Sequence, residues 1–413
     1  MARRCRQPGG SAAQARHRGV PLNLPYRILT ARLLAVAPEK DRAPTLLLGL
    51  TPIARLLGAF AAALRPLAAW LLTLALGAGA CAGLHAQETA GLRELAMYEG
   101  PDRLKRLVDG ANREGVLNLY TSMTAATVAK VKADFERRYP GVKVNLWRAS
   151  SENLLQRTLT EARAKTNGFD VLETNGPEME AVQREKLLIS VNSPHFRDLI
   201  PQAQFAHREW VATRLNLFVQ CFNSRQVRRE DLPKSFEDLL HPRWKGRLAV
   251  EAGDADWFMA VVGAMGEDRG LKLFRDLVAA NGVSVRKGHA LLAELVIAGE
   301  IQMGLSCYNF KIDQDRKAGA PVDWITIGPL IARPNGAGIS RNAPHPHAAL
   351  LFYEYMISDA QPLLTGLELV PVSSKIESPL KGRETRFIDP KRALDEQAKW
   401  EKLFGDIFVA KSR

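Results

Sequence analysis

The sequence predicts an α/β fold in which parallel strands are covered by helices on both faces. Three observations support this prediction. Short apolar strands alternate with amphipathic helices of ordinary length from residue 92 to residue 172, which is the pattern of a parallel sheet. A second set of the same kind begins at residue 247. A long β-rich run at 210–223 lies between these sets, and further strands are expected at 301–305 and 322–327.

The first set of elements has clear boundary signals. The helix expected at 124–139 ends at Pro140 and Gly141,. The helix after it opens on two serines, with Glu152 in its first turn,. The predicted order is helix 92–114, strand 116–120, helix 124–139, strand 142–147, helix 150–164 and strand 169–172.

The second set follows the long β-rich run. The remaining predicted elements are strand 247–251, helices 257–265, 268–280 and 289–298, strands 301–305 and 322–327, a turn at 333–336, and helices 346–358 and 390–408.

The first 86 residues are expected to be a leader that is removed from the mature protein. An apolar region at 67–80 precedes small residues, and the predicted cleavage point lies between Ala86 and Gln87,. Cys81 offers a lipoprotein alternative, but the leucine expected three residues before it is missing, so a signal segment is favoured over a lipid anchor,. Because residues 1–50 are long and Pro/Arg-rich, we expect translation to start downstream of them.

The positive charge of the chain is concentrated in this leader. The 413 residues carry a formal charge of +13, of which residues 1–86, with 11 Lys/Arg and two acids, supply +9 and the rest +4. A mildly basic body of mixed sign, without a basic stripe interleaved with aromatics, does not predict a nucleic-acid-binding surface. A composition of 46% hydrophobic and 24% charged residues is that of a soluble globular protein,.

Candidate ligand-binding residues follow from the sheet. Open α/β sheets bind ligands beyond the carboxyl ends of their strands, against helix N-termini. Hydroxyls and free amides at such helix starts favour an anionic ligand. Applied to the predicted strands, this rule selects Tyr120, Thr121, Ser122, Ser150, Ser151, Glu173, Asn175, Asp254, His289 and Tyr308.

Several of these residues have a structural alternative that the sequence leaves open. Ser150 and Ser151 fit helix N-caps, which contribute about 1 kcal/mol each. Thr121 and Ser122 fit ordinary turn positions. Asp254 and Asp256, which both follow the strand at 247–251 and are candidates by the same rule, fit caps for the helix at 257–265, and the sequence favours that role over ligation,.

Catalytic motifs are absent from the sequence. It contains no GxGxxG or GxxxxGK[ST] phosphate loop, no GxSxG elbow and no HExxH,. No catalytic residue is therefore predicted, and the chain is interpreted as a binding protein and not as an enzyme.

The stretch from 299 to 356 carries a family resemblance. A short apolar run ends in a polar loop around Tyr308, a strand at 322–327 runs into a Pro/Gly turn, and a helix opens after Pro346. This order resembles the second hinge crossing of the bilobed solute-binding proteins of bacterial ABC importers, in particular the ferric-iron-binding group. The resemblance extends over about 115–379. The run at 210–223 resembles the first crossing into lobe two, and residues 232–246 resemble a recurrent family segment in which a helix, here 232–240, precedes a Trp-Lys-Gly turn within 242–246. It implies a type II periplasmic-binding-protein fold, with two hinge crossings and a cleft between two lobes.

The same resemblance makes Tyr308 a candidate metal ligand. Ferric-binding members typically hold Fe(III) with two adjacent tyrosines at this point, a histidine and an acid from lobe one, and a synergistic anion, in keeping with the preference of hard Fe(III) for oxygen donors. Here the neighbour of Tyr308 is Asn309. The family acid falls near Asn175, two positions beyond Glu173, and the family histidine falls at 123–124, which are Met and Thr. These departures concern direct capture of bare iron and not a role in transport.

Two cysteines, Cys221 and Cys307, follow the leader. The resemblance places the two crossings, and with them these cysteines, side by side, and an exported protein meets an oxidising compartment. A disulfide and two buried thiols both stay open, because bridging requires Cα atoms within about 7 Å.

The resemblance also implies a domain organisation and a function. Residues 87–220 and 311–413 are expected to form lobe one and 221–310 lobe two, behind the leader at 1–86. The expected protein is the monomeric periplasmic substrate-binding component of an ABC importer, working with an inner-membrane permease and ATPase and with no nucleic acid. Its cargo is expected to be a small anion, or Fe(III) or an iron chelate, and no cofactor is expected. A fold-sharing periplasmic enzyme and a ligand sensor without a transporter are the alternatives.

Overall fold

The computed structural model describes residues 91–409, and every structural statement below concerns these residues. The predicted leader, its cleavage point after Ala86 and the lipidation alternative at Cys81 lie outside them. Within the described range, no helix is both long and apolar enough to cross a membrane.

Strands and helices alternate along most of the described chain. The strands are β1 (Val116–Thr121), β2 (Lys143–Arg148), β3 (Val171–Asn175), β4 (Trp210–Asn223), β5 (Leu248–Glu251), β6 (Ser284–Arg286), β7 (Met303–Tyr308), β8 (Val322–Ile325), β9 (Leu330–Ile339), β10 (Val370–Pro371) and β11 (Thr385–Phe387). The α-helices are α1 (Arg103–Glu114), α2 (Ala125–Arg138), α3 (Ser151–Arg163), α4 (Gly176–Arg184), α5 (Ala255–Met265), α6 (Glu267–Asn281), α7 (His289–Ala298), α8 (Asn309–Lys317), α9 (Pro346–Ile357), α10 (Ala360–Gly366), α11 (Pro390–Asp395) and α12 (Gln397–Phe404).

Two parallel sets of strands lie on either side of two long crossing strands. The strand order is β2-β1-β3-β9-β4-β7-β5-β6. Pairing is parallel among β1, β2 and β3 and among β5, β6 and β7. β4 and β9 run antiparallel to each other. β4 is also antiparallel to β7, and β9 is also antiparallel to β3. We call the β1–β3 side lobe one and the β5–β7 side lobe two; the predicted domain boundaries at 220 and 310 stay a prediction.

The crossing strands are buried throughout. Every residue of β4 and of β9 is buried, as expected for strands covered on both faces. Polar side chains on these strands, including those of Arg214 and Arg333, therefore lie inside the protein.

The C-terminal residues contact both lobes. α11 packs against α4 of lobe one, and α12 packs against α5 of lobe two. Trp400 and Phe404 of α12 meet the ring of Phe258 edge to face. This strap of two short helices lies beside the gap between the lobes.

The predicted turn at 333–336 is wrong, because these residues continue strand β9. Proline has no backbone N–H to donate, and Pro334 lies where β9 has no partner strand on one side. On that side β11 pairs with residues 330–332 and β3 pairs with residues 335–339. Gly336 is required by packing, because a Cβ there would collide with the ring of Trp210. Proline and glycine here mark a crowded strand and not a turn.

Three predicted helices are interrupted. The helix expected at 92–114 is divided into a segment at 91–97 and α1, with Pro101 between them. In place of the helix expected at 232–240, only Glu237–Leu240 forms a 3-10 turn, because Asp238 accepts hydrogen bonds from the amides of residues 234 and 235 at 2.8 and 3.0 Å. The helix expected at 390–408 consists of α11, α12 and a terminal π-helical turn.

Candidate functional site

A small cavity lies between the carboxyl end of β3 in lobe one and that of β5 in lobe two. Its volume is about 70 Å³. Its charged lining residues in the described chain are three acids and one arginine, namely Glu178, Asp256, Glu401 and Arg333. A larger cavity of about 1140 Å³, among residues 91–98, 158–169 and 340–347, contains none of the predicted site residues.

Arg333 is the centre of this site. It is buried on the crossing strand β9, and its Nη2 donates to Asp254 Oδ1 at 3.0 Å and to Asp256 Oδ1 at 2.6 Å. Its Nη1 donates to the phenol oxygen of Tyr308 at 2.6 Å. The guanidinium also lies over the ring of Phe218, 4.5 Å from the centroid, a distance suited to a cation–π contact.

Three predicted residues of lobe two converge on this arginine. Asp254 follows β5, His289 begins α7 and Tyr308 ends β7. His289 Nε2 lies 3.3 Å from Asp254 Oδ1, and the His289 and Tyr308 rings stack with centroids 3.7 Å apart. The parallel strands of lobe two therefore bring an acid, an imidazole and a phenol into contact.

The side chain of Asp254 does not cap α5. It makes no side-chain cap hydrogen bond, and Asp256 Oδ1 accepts from the amide of Trp257 at 2.7 Å instead. Of the two alternatives for Asp254, the geometry favours a carboxylate directed into the site.

Burial and charge act in opposite directions in this cluster. Burial disfavours the charged form of Asp254, but His289 and Arg333 hold its pKa below the usual value,. Burial raises the pKa of Asp256 despite the neighbouring Arg333. Burial likewise raises the pKa of Tyr308, so its phenol stays protonated in the absence of a strong cation.

Lobe one contributes an acid of its own to the cavity. Glu178 lies in the first turn of α4, and its Oε2 is buried without a hydrogen-bond partner in the described structure. Burial raises the pKa of this carboxyl to about 7, although Arg333 opposes the shift. Glu178 thus directs toward lobe two a carboxyl group in which one oxygen has no hydrogen-bond partner.

Glu173, the acid of lobe one that the sequence predicted for the site, is fully engaged. Glu173 is completely buried, and its two oxygens accept hydrogen bonds from Arg214 Nη1 and from the Thr121 hydroxyl. The Thr121 oxygen also accepts from the amide of Met123 at 3.0 Å. Asn175, at the end of β3, lines the cavity and accepts a hydrogen bond from Asn335 Nδ2 at 2.6 Å.

The remaining predicted residues of lobe one lie outside this cluster. The Tyr120 hydroxyl donates to Glu161 Oε1 at 2.9 Å, and burial together with that carboxylate raises the Tyr120 pKa to about 12. The Ser122 amide donates to the Glu173 carbonyl at 3.0 Å. Ser150 is the N-cap of α3 and accepts from the amide of residue 153 at 3.4 Å, and Ser151 is the first residue of that helix.

Cys221 and Cys307 form a disulfide, with Cα atoms 5.8 Å apart. The bond links β4 to β7 one residue before Tyr308. It therefore restrains the strand that delivers Tyr308 to the site.

Three residues of the cluster were not among the sequence-predicted site residues. Arg333 was assigned to a turn, Glu178 lies in the first turn of a helix, and Glu251 is the last residue of a short apolar strand. Glu251 accepts hydrogen bonds from the amides of Gly253 and Gly288 at 2.6 and 2.8 Å. The carboxyl-end rule applied to the final residue of β5 itself would have found Glu251.

Comparison with known proteins identifies the family. A model of the bacterial extracellular solute-binding protein family matches residues 120–361, more than half of the chain. The chain belongs to this family. The predicted family is therefore confirmed.

Curated relatives of the solute-binding protein include iron-binding proteins. It is 25% identical over 226 residues to the Fe(3+)-binding periplasmic protein of Serratia marcescens, a match that covers 52% of this chain and 66% of that protein. It is 20% identical over 269 residues to iron uptake protein A1 of Synechocystis sp., covering 61% of this chain and 74% of that protein. The predicted resemblance to the ferric-iron-binding group is confirmed.

Solved structures confirm the two-lobed type II fold. Iron-bound HitA from Pseudomonas aeruginosa aligns with a TM-score of 0.62 and 20% identity, over 71% of this chain and 99% of that chain. AfuA from Actinobacillus pleuropneumoniae, with bound fructose-6-phosphate, aligns with a TM-score of 0.62 and 18% identity over the same shares. Proteins of this fold thus hold very different ligands.

Proposed function

We propose that the solute-binding protein is the periplasmic substrate-binding component of an ABC importer, and that its cargo is iron, held in the cleft between the lobes. The observation that carries the choice of cargo is the charge of the cleft. Carboxylates from both lobes, Glu178 and Asp256 among them, surround one guanidinium, Arg333. A cleft with more acids than bases favours a cation.

The state of Arg333 argues against a small anion, the other cargo that the sequence allows. Its Nη2 is paired with Asp254 and Asp256 and its Nη1 donates to Tyr308, so that among its nitrogens only the buried Nε lacks a partner in the described structure. An anion that took Nη2 as its partner would break buried ion pairs, which typically costs about 3–5 kcal/mol when one partner is left alone.

The donor types and the space available support a metal ion. Carboxylate and phenol oxygens are donors that hard Fe(III) favours. The cavity of about 70 Å³ is far below the roughly 300–1,000 Å³ of pockets for larger organic ligands. In this arrangement of the lobes it suits an ion with few small ligands better than a large chelate.

The two-lobed fold supports a capture mechanism. Glu178 of lobe one and Asp256 of lobe two line the same cavity, so only a closed protein presents both carboxyl groups to one ion. A ligand that contacts both lobes stabilises the closed state by its differential affinity for it. Closure is then the signal that a permease reads.

Iron retention tests this proposal. Metal-free protein is mixed with Fe(III)–nitrilotriacetate, desalted and analysed for iron by mass spectrometry and for a tyrosine-to-iron charge-transfer band. We expect one equivalent of retained iron and an at least tenfold loss of affinity in Tyr308→Ala. Absence of retained iron, together with stoichiometric binding of a phosphate ester or carboxylate in calorimetry, would overturn the choice of cargo. Loss of radiolabelled iron uptake on gene deletion tests the transport role.

A further inference from the structure

A second set of donors lies near the carboxyl ends of two lobe-two strands, outside the lining of the small cavity. Glu251 ends β5, Asp254 lies three residues later, and His289 follows β6. Because β5 and β6 are parallel neighbours, their carboxyl ends bring these residues together. One donor atom from each of the three side chains lies within 4.8 Å of the other two.

We propose that Glu251, Asp254 and His289 form a transition-metal site, the point at which lobe two first holds the cargo ion. This inference rests on the proposed function and adds to it a ligand set, a mixed carboxylate and imidazole group drawn from one lobe. It assigns the metal to residues other than a tyrosine pair.

The donors are held in place by the backbone of the loops that carry them. Glu251 is buried and accepts from the amides of Gly253 and Gly288, the neighbours of Asp254 and His289. A carboxylate offers about four acceptor positions, so these bonds orient Glu251 and leave capacity for a metal. The site is thus built before any ion arrives.

Two donor atoms of the site are unsatisfied. Asp254 is only 1% exposed, and its Oδ2 has no hydrogen-bond partner among the described residues. The same holds for Nδ1 of His289. A buried polar atom without a partner costs about 1–3 kcal/mol. A cation bound among the three side chains would remove this cost at Asp254, whose other oxygen, Oδ1, lies 3.3 Å from His289 Nε2.

The mixed donor set selects a class of metal. Imidazole with carboxylates suits iron, manganese, cobalt and zinc, whereas magnesium and calcium prefer oxygen donors alone. Arg333 Nη2 contacts Asp254 Oδ1 at 3.0 Å, so the guanidinium supplies countercharge before the metal binds and competes with it for the same carboxylate.

Cobalt(II) and manganese(II) are suitable probes of this site. Chelator-stripped full protein is titrated with each ion by calorimetry, and Co(II) coordination is followed by its visible d–d absorption. We expect His289→Gln and Asp254→Asn to weaken Co(II) binding at least tenfold, and His289→Gln to abolish the metal-induced rise in Tm. His347→Gln is the matched control, since His347 pairs with a carboxylate, Glu114, at 2.7 Å but lies away from the cleft.

The outcomes separate this inference from the proposed function. Wild-type Co(II) affinity in both His289→Gln and Asp254→Asn would overturn the site. If these variants also retain Fe(III) while Tyr308→Ala does not, iron transport stands and only the site is wrong. If the wild-type protein retains neither Fe(III) nor Co(II), the choice of iron as the cargo fails as well. Unchanged Tm of the metal-free His289→Gln variant excludes misfolding as the cause of lost binding.

Discussion

The two crossing strands each place one buried arginine against acidic residues of one lobe, but the two clusters differ in whether all carboxylate oxygens have hydrogen-bond partners. Arg214 of β4 and Thr121 satisfy both oxygens of Glu173 in lobe one. Arg333 of β9 is shared between Asp254 and Asp256 in lobe two, and Asp254 retains an unpartnered oxygen. Similar residues at similar sheet edges thus form a closed structural pair in one lobe and an incomplete site in the other.

This difference shows how a structural ion pair is distinguished from a binding site. A buried acid with all of its hydrogen bonds made has no reason to bind a ligand. A buried acid that lacks partners has a stability cost that a ligand can remove. The four predictions that follow test this comparison, beginning with the largest expected effect.

Breaking the lobe-one pair should destabilise the fold most. Glu173→Gln leaves Arg214 buried without its counter-ion, which typically costs about 3–5 kcal/mol. Asp254→Asn should cost less, because Asp256 still pairs with Arg333. Urea unfolding of both variants measures the difference. A smaller loss in Glu173→Gln than in Asp254→Asn would contradict the distinction between the clusters.

The pH dependence of stability should reveal Glu178, the acid of lobe one that faces the lobe-two site. Burial raises its pKa from 4.5 to about 7, with Arg333 opposing and Asp256 and Glu152 adding to the rise. The folded state therefore keeps a proton that the unfolded state has lost. The contribution of Glu178 to the free energy of unfolding should be complete below pH 4.5, decrease as the pH rises toward 7, and then stay constant. The total decrease should be roughly 3 kcal/mol.

Glu178→Gln is the matched test of that dependence. Glutamine carries no titrating proton, so the decline in unfolding free energy between these pH values should be absent in the variant. An identical pH profile in both proteins would show that Glu178 does not couple to folding.

Tyr308→Phe should have the smallest of these effects. Phenylalanine keeps the ring that stacks on His289 at 3.7 Å but removes the oxygen that accepts from Arg333 at 2.6 Å. Hydrogen bonds to charged groups contribute about 1.5–3 kcal/mol, so we expect a loss near 2 kcal/mol in chemical unfolding. A loss below about 0.5 kcal/mol would mean that this hydrogen bond contributes little.

Much of the fold and part of the site could be predicted from sequence. Alternating strands and helices have local periodicity, and the carboxyl-end rule places Asp254, His289 and Tyr308 correctly at the ends of lobe-two strands. Arg333 was missed because Arg-Pro-Asn-Gly has turn composition, whereas its strand conformation depends on the distant partners β3, β4 and β11. The pairing of Glu173 with Arg214 spans 41 positions and has no local signal.

The most direct test of the central claim, that lobe two holds a cation, is Co(II) affinity in Arg333→Gln compared with Arg214→Gln. Removing the Arg333 guanidinium deletes a positive charge that contacts Asp254, so calorimetry should show Co(II) binding at least tenfold tighter than in the wild-type protein. Arg214→Gln removes an equally buried arginine that faces lobe one, and its Co(II) affinity should be unchanged. Weaker Co(II) binding in Arg333→Gln, accompanied by loss of affinity for citrate or phosphate, would contradict the account and identify Arg333 as an anion ligand.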